Sequence, residues 1–319
     1  MTLISGQSLN NIKTKGDGKM KLITFKADGK EQVGVLSKCK TKVFPVKNLK
    51  MNYSSMNDLI ENISDVELEE LSAASKANCE DLCCGCTYLM LKDVEILAPI
   101  PQPKQDVICI GINYMAHAEE SARYKEEAFG GERPYAVYFS KRINYASADG
   151  DFIPAHEDIC DSLDYEVELA VIIGKEAKNV KKEDAFKHVF GYTIINDVSA
   201  RTLQTRHKQW YFGKSLDGFF PMGPSIVTKD EFAEPPIVKI QSRVNGEVRQ
   251  DSTTELLIFT IEHVISELSQ GMTLKPGTII ALGTPAGVGM GFTPPKWLKP
   301  GDVVECEIEG IGCLTNTVK

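Results

Sequence analysis

The sequence predicts an α+β fold that is mainly β, with a large body preceded by a small β-rich domain. Three features support this prediction. Short apolar segments of strand length recur along the chain, turn signals separate them, and the strands do not alternate with helices as they do in a doubly wound sheet. Even the longest apolar runs, such as 169–173, are only as long as a strand, well short of the roughly 18 residues of a membrane span.

The first 46 residues contain a polar leader and then short strands. Residues 1–19 are polar and show no periodicity, so we expect a loose leader or extension there. The dipeptide Asp28-Gly29 predicts a tight turn between two strands. The strands predicted in this part of the chain are 22–25, 32–37 and 42–46.

A domain boundary is predicted near residue 100. Apolar residues at mixed spacings of three and four predict a helix over 56–77, and the proline-rich segment 99–103 interrupts the chain after it. We therefore assign 20–100 to a small N-terminal β-rich domain and 101–319 to the main body.

The main body is predicted to be largely antiparallel, with helices at its margins. Pro-Gly pairs at 276–277 and 300–301 predict type II turns, each just before a strand. The predicted helices are 116–127, 198–210 and 257–269. The predicted strands are 107–112, 136–140, 165–174, 190–197, 225–228, 238–244, 278–283 and 303–311.

The composition excludes some classes of function. The chain has 36 basic and 44 acidic side chains, a net charge of -8, and therefore no basic stripe for a nucleic-acid backbone. The N-terminus lacks the apolar core of a signal peptide. The nine cysteines, an odd number in no regular framework, indicate reduced thiols and a cytoplasmic protein. We expect a small-molecule substrate and neither a nucleic-acid nor a membrane partner.

Four of the cysteines lie close together, at Cys79, Cys83, Cys84 and Cys86. Such thiols could bind a soft metal, but a structural zinc site normally closes between two separated pairs of ligands. An unmetallated, incidental cluster is the alternative.

Three carboxylates are placed to meet at the ends of two strands. Glu166 and Glu168 alternate along one predicted strand, so both face the same side, and Asp197 ends the next long strand. Two aligned buried carboxylates repel each other, and a hard cation such as Mg²⁺ or Mn²⁺ removes that cost. The alternatives are a solvated strand face and an aspartate that only caps the next helix.

Residues after Asp197 strengthen the metal hypothesis. Arg201 and Gln204 share one face of the predicted helix, and Lys214 follows in a loop. A cation, an amide and an ammonium group around one pocket are typical of a site that binds an oxo acid.

A second polar cluster follows the strand 107–112. His117 and Glu120 are three residues apart and can touch on one turn of a helix. Glu120 could fix the imidazole tautomer while His117 takes a proton from water. The alternative is an incidental ion pair on a surface helix.

Four long strings in the main body closely resemble the fumarylacetoacetate hydrolase family and occur in the order found there. They are IGINYMAHAEES, LDYEVELAVIIGKEAKNV, GYTIINDVSARTLQTRHKQWYFGKSLDGFFPMGP and LGTPAGVGMGFTPPKWLKPGDVVECEIEGIG. The resemblance covers about residues 107–319. It implies a β-roll of stacked mixed sheets, a homodimer, and a bound Mg²⁺ or Mn²⁺.

The resemblance also implies roles for individual residues. Glu166, Glu168 and Asp197 match the three metal ligands, and Lys214 matches the active-site lysine. The His117–Glu120 pair matches that of the family's lid helix. Predicted substrate-binding residues are Gln204, Lys141, which matches a lysine beside the substrate, and Thr284, which matches a threonine that reaches the ligand's carboxylate.

The chain departs from the family pattern at Arg142, where a proline often stands, and this change would reshape the distal part of the substrate pocket.

The glycine-rich segment 283–291 is not a phosphate loop, because no Gly-Lys-Ser/Thr ending follows it.

The predicted function is divalent-metal-dependent hydrolysis of a C–C bond in a 3-acylpyruvate-type 2-oxo acid, which releases pyruvate through a stabilised enolate. Such a reaction would belong to aromatic catabolism. The same pocket would also suit a 2-hydroxyhepta-2,4-diene-1,7-dioate-type isomerase or an oxaloacetate decarboxylase. A non-catalytic binding module is the alternative from another class, and it would be expected to lack one of the carboxylates or the lysine.

Overall fold

The computed structural model describes residues 18–76, 87–124, 131 and 134–319. Nearly all of the predicted leader, the cysteine cluster 79–86 and the end of the helix predicted at 116–127 lie outside the described residues. In the described ranges, no helix combines the length and the apolar character needed to cross a membrane.

Eighteen strands and six α-helices make up the described part of the chain. The helices are α1 (Met56–Asn62), α2 (Asp65–Lys76), α3 (Met115–Tyr124), α4 (Arg201–Arg206), α5 (Tyr211–Lys214) and α6 (Ile261–Gly271). The strands are β1 (Lys21–Ala27), β2 (Lys30–Leu36), β3 (Lys42–Pro45), β4 (Leu89–Met90), β5 (Glu95–Leu97), β6 (Val107–Gly111), β7 (Val137–Lys141), β8 (Phe152–Ile153), β9 (Leu163–Asp164), β10 (Val167–Ile173), β11 (Val189–Asn196), β12 (Ser199–Ala200), β13 (Met222–Thr228), β14 (Lys239–Val244), β15 (Glu247–Thr253), β16 (Ile279–Ala281), β17 (Val303–Ile308) and β18 (Gly312–Val318).

The largest sheet has 11 strands, in the order β4-β3-β2-β1-β13-β11-β10-β16-β6-β7, with β5 paired to β1. Its neighbouring strands are antiparallel except for β16 and β6, which are parallel. The N-terminal strands join this sheet through β1, where Lys21 lies opposite Val227 of β13. The strand pairing is therefore continuous across residue 100, and the division into domains there stays a prediction.

A second sheet of five strands, β15-β14-β17-β18-β8, packs against one face of the large sheet. Strand β10 is buried along its whole length and therefore contributes to two cores. Val167, Leu169 and Val171 face the core shared with the second sheet. Ala170 and Ile172 face the opposite core, which α1 and α2 cover. The mixed, mainly β architecture predicted from the sequence, with helices at its margins, is confirmed.

The Pro-Gly turns are confirmed. Gly277 and Gly301 have φ angles of 87° and 95°, which the third position of a type II turn requires. The amides of Thr278 and Asp302 close the turns on the carbonyls of Lys275 and Lys299, each at 3.0 Å.

Three predicted helices are wrong in part, and one of them, predicted over 257–269, begins only at Ile261. The helix predicted over 56–77 is broken between α1 and α2, where Ser64 and Glu67 form a capping box. The helix predicted over 198–210 begins only at Arg201, because Ser199 and Ala200 pair with β9 as the strand β12. Helix α4 has no side-chain cap, so Asp197 does not cap it.

Candidate active site

The pairing of β10 with β11 brings three carboxylates together. Asn196 lies opposite Val167 at the end of this ladder, and the Asp197 amide donates a hydrogen bond to the Glu166 carbonyl at 2.8 Å. Glu166, Glu168 and Asp197 each offer an oxygen, and these oxygens lie within 4.8 Å of one another. All three residues are buried. The predicted convergence of these side chains is therefore present.

Three cationic side chains surround this cluster. Lys214 Nζ lies 2.8 Å from Glu166 Oε2 and 2.6 Å from Asp197 Oδ2. Arg201 Nη1 lies 2.6 Å from Glu166 Oε1. Lys141 Nζ donates to Asp197 Oδ1 at 2.5 Å and to the Val198 carbonyl at 2.8 Å. All three cations are buried, so these contacts are little screened by water.

Glu168 differs from the other two carboxylates. Its Oε2 accepts a hydrogen bond from the Gly283 amide at 2.8 Å, but none of the ion pairs between described residues includes it. Burial raises the pKa of Glu168 well above its usual range, and the charges of Asp197 and Glu166 raise it further. For Glu166, burial also opposes ionisation, but Lys214 and Arg201 outweigh it and lower the pKa. In the part of the chain that the structure describes, one carboxyl group of the cluster thus has no ion-pair partner.

The charges and donor atoms fit a hard divalent cation. With buried Asp164 included, four carboxyl groups face three cationic side chains, so ionisation of the fourth carboxyl group, Glu168, is costly unless a further cation binds. The three oxygens nearest one another are all carboxylate oxygens, which Mg²⁺ and Mn²⁺ prefer over soft ligands. Glu166, Glu168 and Asp197 would hold such a cation.

A cavity opens next to the carboxylates. One side carries ionisable groups, and the far side is aromatic and aliphatic. Phe139 lies between the two sides, because its ring centre is 5.3 Å from Lys214 Nζ and 5.2 Å from the Trp210 ring. The lining residues are Ile110, Gly111, Ile112, His117, Ser121, Tyr124, Phe139, Glu166, Glu168, Arg201, Gln204, Thr205, Trp210, Lys214, Thr284 and Met290.

Helix α3 brings His117 to this cavity. His117 Nδ1 lies 3.0 Å from Glu120 Oε2, and both side chains are buried. The other oxygen of Glu120 accepts a hydrogen bond from the Gly287 amide at 3.0 Å. Glu120 is therefore held from two sides and fixes the orientation of the imidazole, as the spacing of the two residues predicted.

The three predicted substrate-binding residues lie in different surroundings. Gln204 lines the cavity and accepts a hydrogen bond from Arg201 Nη1 at 3.1 Å. Thr284 also lines it, but its hydroxyl donates to the Val167 carbonyl at 2.9 Å and accepts from Gln250. Lys141 lies behind Asp197 and is not among the described residues that line the cavity. Their contacts with a substrate stay predictions.

Sequence reasoning missed Asp164. This buried carboxylate accepts a hydrogen bond from Arg201 Nε at 2.8 Å and reaches the backbone of the glycine-rich segment near the cavity. A signal was present, because Asp164 stands two residues before Glu166 and so shares its side of an extended chain.

The part of the chain that carries this site matches a known protein family. Residues 106–319 match the family model described as fumarylacetoacetate (FAA) hydrolase C-terminal. The chain is 43% identical to oxaloacetate tautomerase YisK of Bacillus subtilis, over 90% of this chain and 93% of that protein.

Solved structures agree with this match. The fumarylacetoacetate hydrolase of Exiguobacterium antarcticum is 40% identical, with a TM-score of 0.76 over 94% of this chain and 99% of that one. A maleylpyruvate hydrolase from Sphingobium sp. SYK-6, solved with manganese(II) and pyruvate, is 28% identical, with a TM-score of 0.71 over 94% and 98%. The chain therefore belongs to the fumarylacetoacetate hydrolase family.

Proposed function

We propose that the chain is a divalent-metal-dependent enzyme that interconverts the enol and keto forms of oxaloacetate. The observation that carries this proposal is the presence of the three carboxylates, Lys214 and the His117–Glu120 pair around one cavity. The sequence similarity to an oxaloacetate tautomerase supports the choice of reaction.

Glu166, Glu168 and Asp197 would hold Mg²⁺ or Mn²⁺ in this enzyme. When bound, the cation acts as a Lewis acid that stabilises negative charge on the 2-oxo group of the substrate. Arg201 and Gln204 line the same cavity and would orient the anionic substrate. Both tautomers of oxaloacetate carry the 2-oxygen and a carboxylate, so one binding mode serves both.

Lys214 would stabilise charge and would not act as a base. Burial disfavours its ammonium form, but Asp197 and Glu166 outweigh burial and raise its pKa. The side chain therefore stays protonated and can donate a hydrogen bond to a developing enolate oxygen. Because Lys214 keeps its proton, another group must move the proton at C3.

His117 is the candidate for that proton transfer. Its Nδ1 is engaged by Glu120, so Nε2 is the nitrogen that can exchange a proton with the substrate. In the keto-to-enol direction, His117 would take a proton from C3 and return one to the oxygen on C2. No bond between carbon atoms breaks, and no water molecule is consumed.

Hydrolysis of a 3-acylpyruvate, the reaction predicted from the sequence, is the second candidate. The same His117 could take a proton from a water molecule that attacks the distal carbonyl. The C–C bond would then break, and pyruvate would leave as its enolate and take up a proton at C3. The similarity to the maleylpyruvate hydrolase structure with pyruvate favours this candidate.

Isomerisation and decarboxylation use the same enolate. A probable 2-hydroxyhepta-2,4-diene-1,7-dioate isomerase from Mycobacterium abscessus is 30% identical over 94% of this chain, with a TM-score of 0.73. The homodimer and a place in aromatic catabolism are further proposals that rest on the family resemblance, and the cytoplasmic location is a proposal that rests on the cysteine pattern.

Three assays with purified protein and Mn²⁺ separate tautomerisation, hydrolysis and decarboxylation. Decay of the ultraviolet absorbance of enol-oxaloacetate reports tautomerisation, pyruvate formed from acetylpyruvate reports hydrolysis, and carbon dioxide formed from oxaloacetate reports decarboxylation. We expect rapid tautomerisation without release of carbon dioxide. Pyruvate formation without accelerated tautomerisation would favour the second candidate, and a protein inactive in all three assays would contradict the proposal.

The variant His117→Ala should slow tautomerisation by about 100-fold or more, a typical contribution of general acid–base catalysis. His263→Ala is a matched control, because His263 also forms a His–Glu pair on a helix, with Nε2 3.4 Å from Glu267 Oε2 on α6. That control should keep wild-type activity. If both variants were equally active, His117 would not be the proton-transfer group.

A further inference from the structure

Asp164 has an unusually complete set of hydrogen-bond donors. Its Oδ1 accepts from the Tyr165 amide at 2.9 Å and the Gly289 amide at 2.6 Å. Its Oδ2 accepts from the Met290 amide at 3.1 Å and from Arg201 Nε at 2.8 Å. The residue is fully buried, so these four donors replace water entirely.

One set of these contacts leads to the carboxylate cluster. Arg201, which Asp164 holds through Nε, uses Nη1 to contact Glu166 Oε1 at 2.6 Å. The same Nη1 donates to Gln204 Oε1 at 3.1 Å. Asp164 thereby fixes the guanidinium plane that contacts a predicted metal ligand and a predicted substrate-binding residue.

The other set leads to the His117–Glu120 pair through residues 287–291, which we name the 287–291 turn. Asp164 binds the amides of Gly289 and Met290 in this turn. At its beginning, the Gly287 amide donates to Glu120 Oε1 at 3.0 Å. The turn therefore contacts α3 through its first residue, and its later residues Gly289 and Met290 contact the chain that enters β10.

Two glycines make this attachment close. A Cβ atom on Gly289 would lie 2.6 Å from Asp164 Oδ1 and 2.5 Å from the Lys296 carbonyl oxygen. A Cβ atom on Gly291 would lie 2.1 Å from Cδ of Glu120. A methyl group at either position would force the turn away from its partner, or displace the partner itself.

We infer that Asp164 is a positioning residue. By anchoring both Arg201 and the 287–291 turn, it fixes the position of the His117–Glu120 pair relative to the carboxylate cluster. The inference rests on the proposed function in one respect, because it assumes that the carboxylate cluster and the His117–Glu120 pair act on the same substrate molecule. Asp164 does not line the cavity, so it would act only through the residues it holds.

The variant Asp164→Asn tests this role without changing the size of the side chain. Each carboxylate oxygen accepts two donors, so the amide nitrogen must face two N–H groups whichever way it is placed. In either orientation one of those N–H groups belongs to Gly289 or Met290. The 287–291 turn therefore loses a hydrogen bond in both cases, whereas Arg201 loses one in only one of them.

The kinetic test is a double-mutant cycle of Asp164→Asn with Glu120→Gln. We expect each single variant to lower kcat about tenfold or more, and the double variant to be no slower than the slower single variant within about threefold. Mn²⁺ affinity in Asp164→Asn should stay within about threefold of wild type, because the three ligands remain. Multiplicative losses in kcat would overturn the inference.

A second measurement does not depend on activity. The ring resonances of His117, assigned by their loss in His117→Ala, should shift in Glu120→Gln and shift in the same direction in Asp164→Asn. An unchanged His117 signal in Asp164→Asn would overturn the inference. A wild-type protein without turnover would contradict the proposed function, and the His117 resonances would still decide on Asp164.

Matched variants control for stability. Asp158→Asn changes an exposed aspartate in the preceding segment and should leave both kcat and the His117 signal unchanged. If Asp164→Asn does not fold, Gly289→Ala displaces the turn while Asp164 keeps its charge, and it should give the same loss of kcat and the same shift. Gly271→Ala, whose Cβ meets no atom within 4 Å, is the control for that variant. Wild-type behaviour of a folded Gly289→Ala would overturn the inference.

Discussion

The ammonium group of Lys214 lies 2.6 Å from Oδ2 of Asp197, which is also one of the three candidate metal ligands. The lysine and a bound cation would therefore share a carboxylate and lie next to the same substrate oxygen. The Lys214 ammonium group and the cation would repel each other at this short distance. Negative charge that develops on an enolate oxygen between them would offset this repulsion.

The variant Lys214→Met should lose catalysis but not metal binding. We expect kcat to fall by about 10²- to 10³-fold, as expected when a preorganised donor to a developing anion is removed. Mn²⁺ should bind at least as tightly as in wild type, because a repelling positive charge has gone. Lys187→Met, which removes an exposed lysine paired with Asp184, serves as the control in steady-state kinetics and calorimetry. A Lys214→Met variant with wild-type kcat would refute the assigned role.

Trp210 should limit the length of the substrate. It packs so closely on Gly111 that a Cβ there would lie 2.2 Å from Trp210 Cζ3, and it contacts Phe139 at the apolar side of the cavity. Trp210→Ala would open space at that side. We expect the ratio of kcat/KM for a long 3-acylpyruvate to that for acetylpyruvate or oxaloacetate to rise about tenfold. Tyr211→Ala, which changes the exposed neighbour, should leave the ratio unchanged. An unchanged ratio in Trp210→Ala would place the limit elsewhere.

Metal binding should release a proton from Glu168. The folded-state pKa of Glu168 is raised by burial and by its acidic neighbours, so the metal-free protein keeps this proton to a higher pH than an unfolded chain does. A cation needs the carboxylate form. Below the folded-state pKa, Mn²⁺ affinity should therefore tighten with rising pH by up to about tenfold per unit, and level off above it. Calorimetry in two buffers of different ionisation enthalpy measures the released proton, and binding that is independent of both pH and buffer would contradict this prediction.

Asp149 should destabilise the protein at neutral pH. Burial, followed by the charge of Asp151, raises the pKa of Asp149 from 3.8 to about 6. The folded state therefore binds this proton more tightly than the unfolded state, and the contribution of Asp149 to stability falls as pH rises from about 4 to about 6.

Asp149→Asn removes this pH dependence and keeps the hydrogen bond that Oδ1 accepts from the Thr315 amide at 2.7 Å. At pH 7.5 the free energy of unfolding should rise by up to about 3 kcal/mol, and at pH 4 it should hardly change. Urea unfolding at both pH values measures the effect, with Asp93→Asn as an exposed control. A variant that is destabilised at pH 7.5 would show that the half-buried charge of Asp149 is favourable.

The local parts of the site could be predicted from the sequence because they depend on strand and helix periodicity. Alternation along the predicted strand 165–174 placed Glu166 and Glu168 together, and the helical spacing placed His117 beside Glu120. The hairpin of β14 and β15 was missed, although Asn245-Gly246, with φ angles of 52° and 81°, is a strong turn signal between them.

The remaining features depend on contacts between distant parts of the chain, and local patterns do not encode them. The helix predicted over 198–210 lost its first residues to pairing with β9. Lys141 is held behind Asp197, 56 residues away in sequence, and Thr284 is held by Val167 and Gln250. The spacing of Asp164 from Glu166 indicates that it lies near the site, but its hydrogen-bond donors cannot be read from local patterns, because they come from residues up to 126 positions away.

Calorimetric titration of Mn²⁺ into wild type and Glu168→Gln tests the central claim most directly. Glutamine keeps the length of the side chain and can still accept a hydrogen bond from the Gly283 amide, but it cannot lose a proton to form the carboxylate that the cation needs. We predict one Mn²⁺ per wild-type chain and binding about 100-fold weaker or worse in the variant. Equal affinity in the two proteins, or no binding to wild type, would contradict the assignment of this cluster as the metal site.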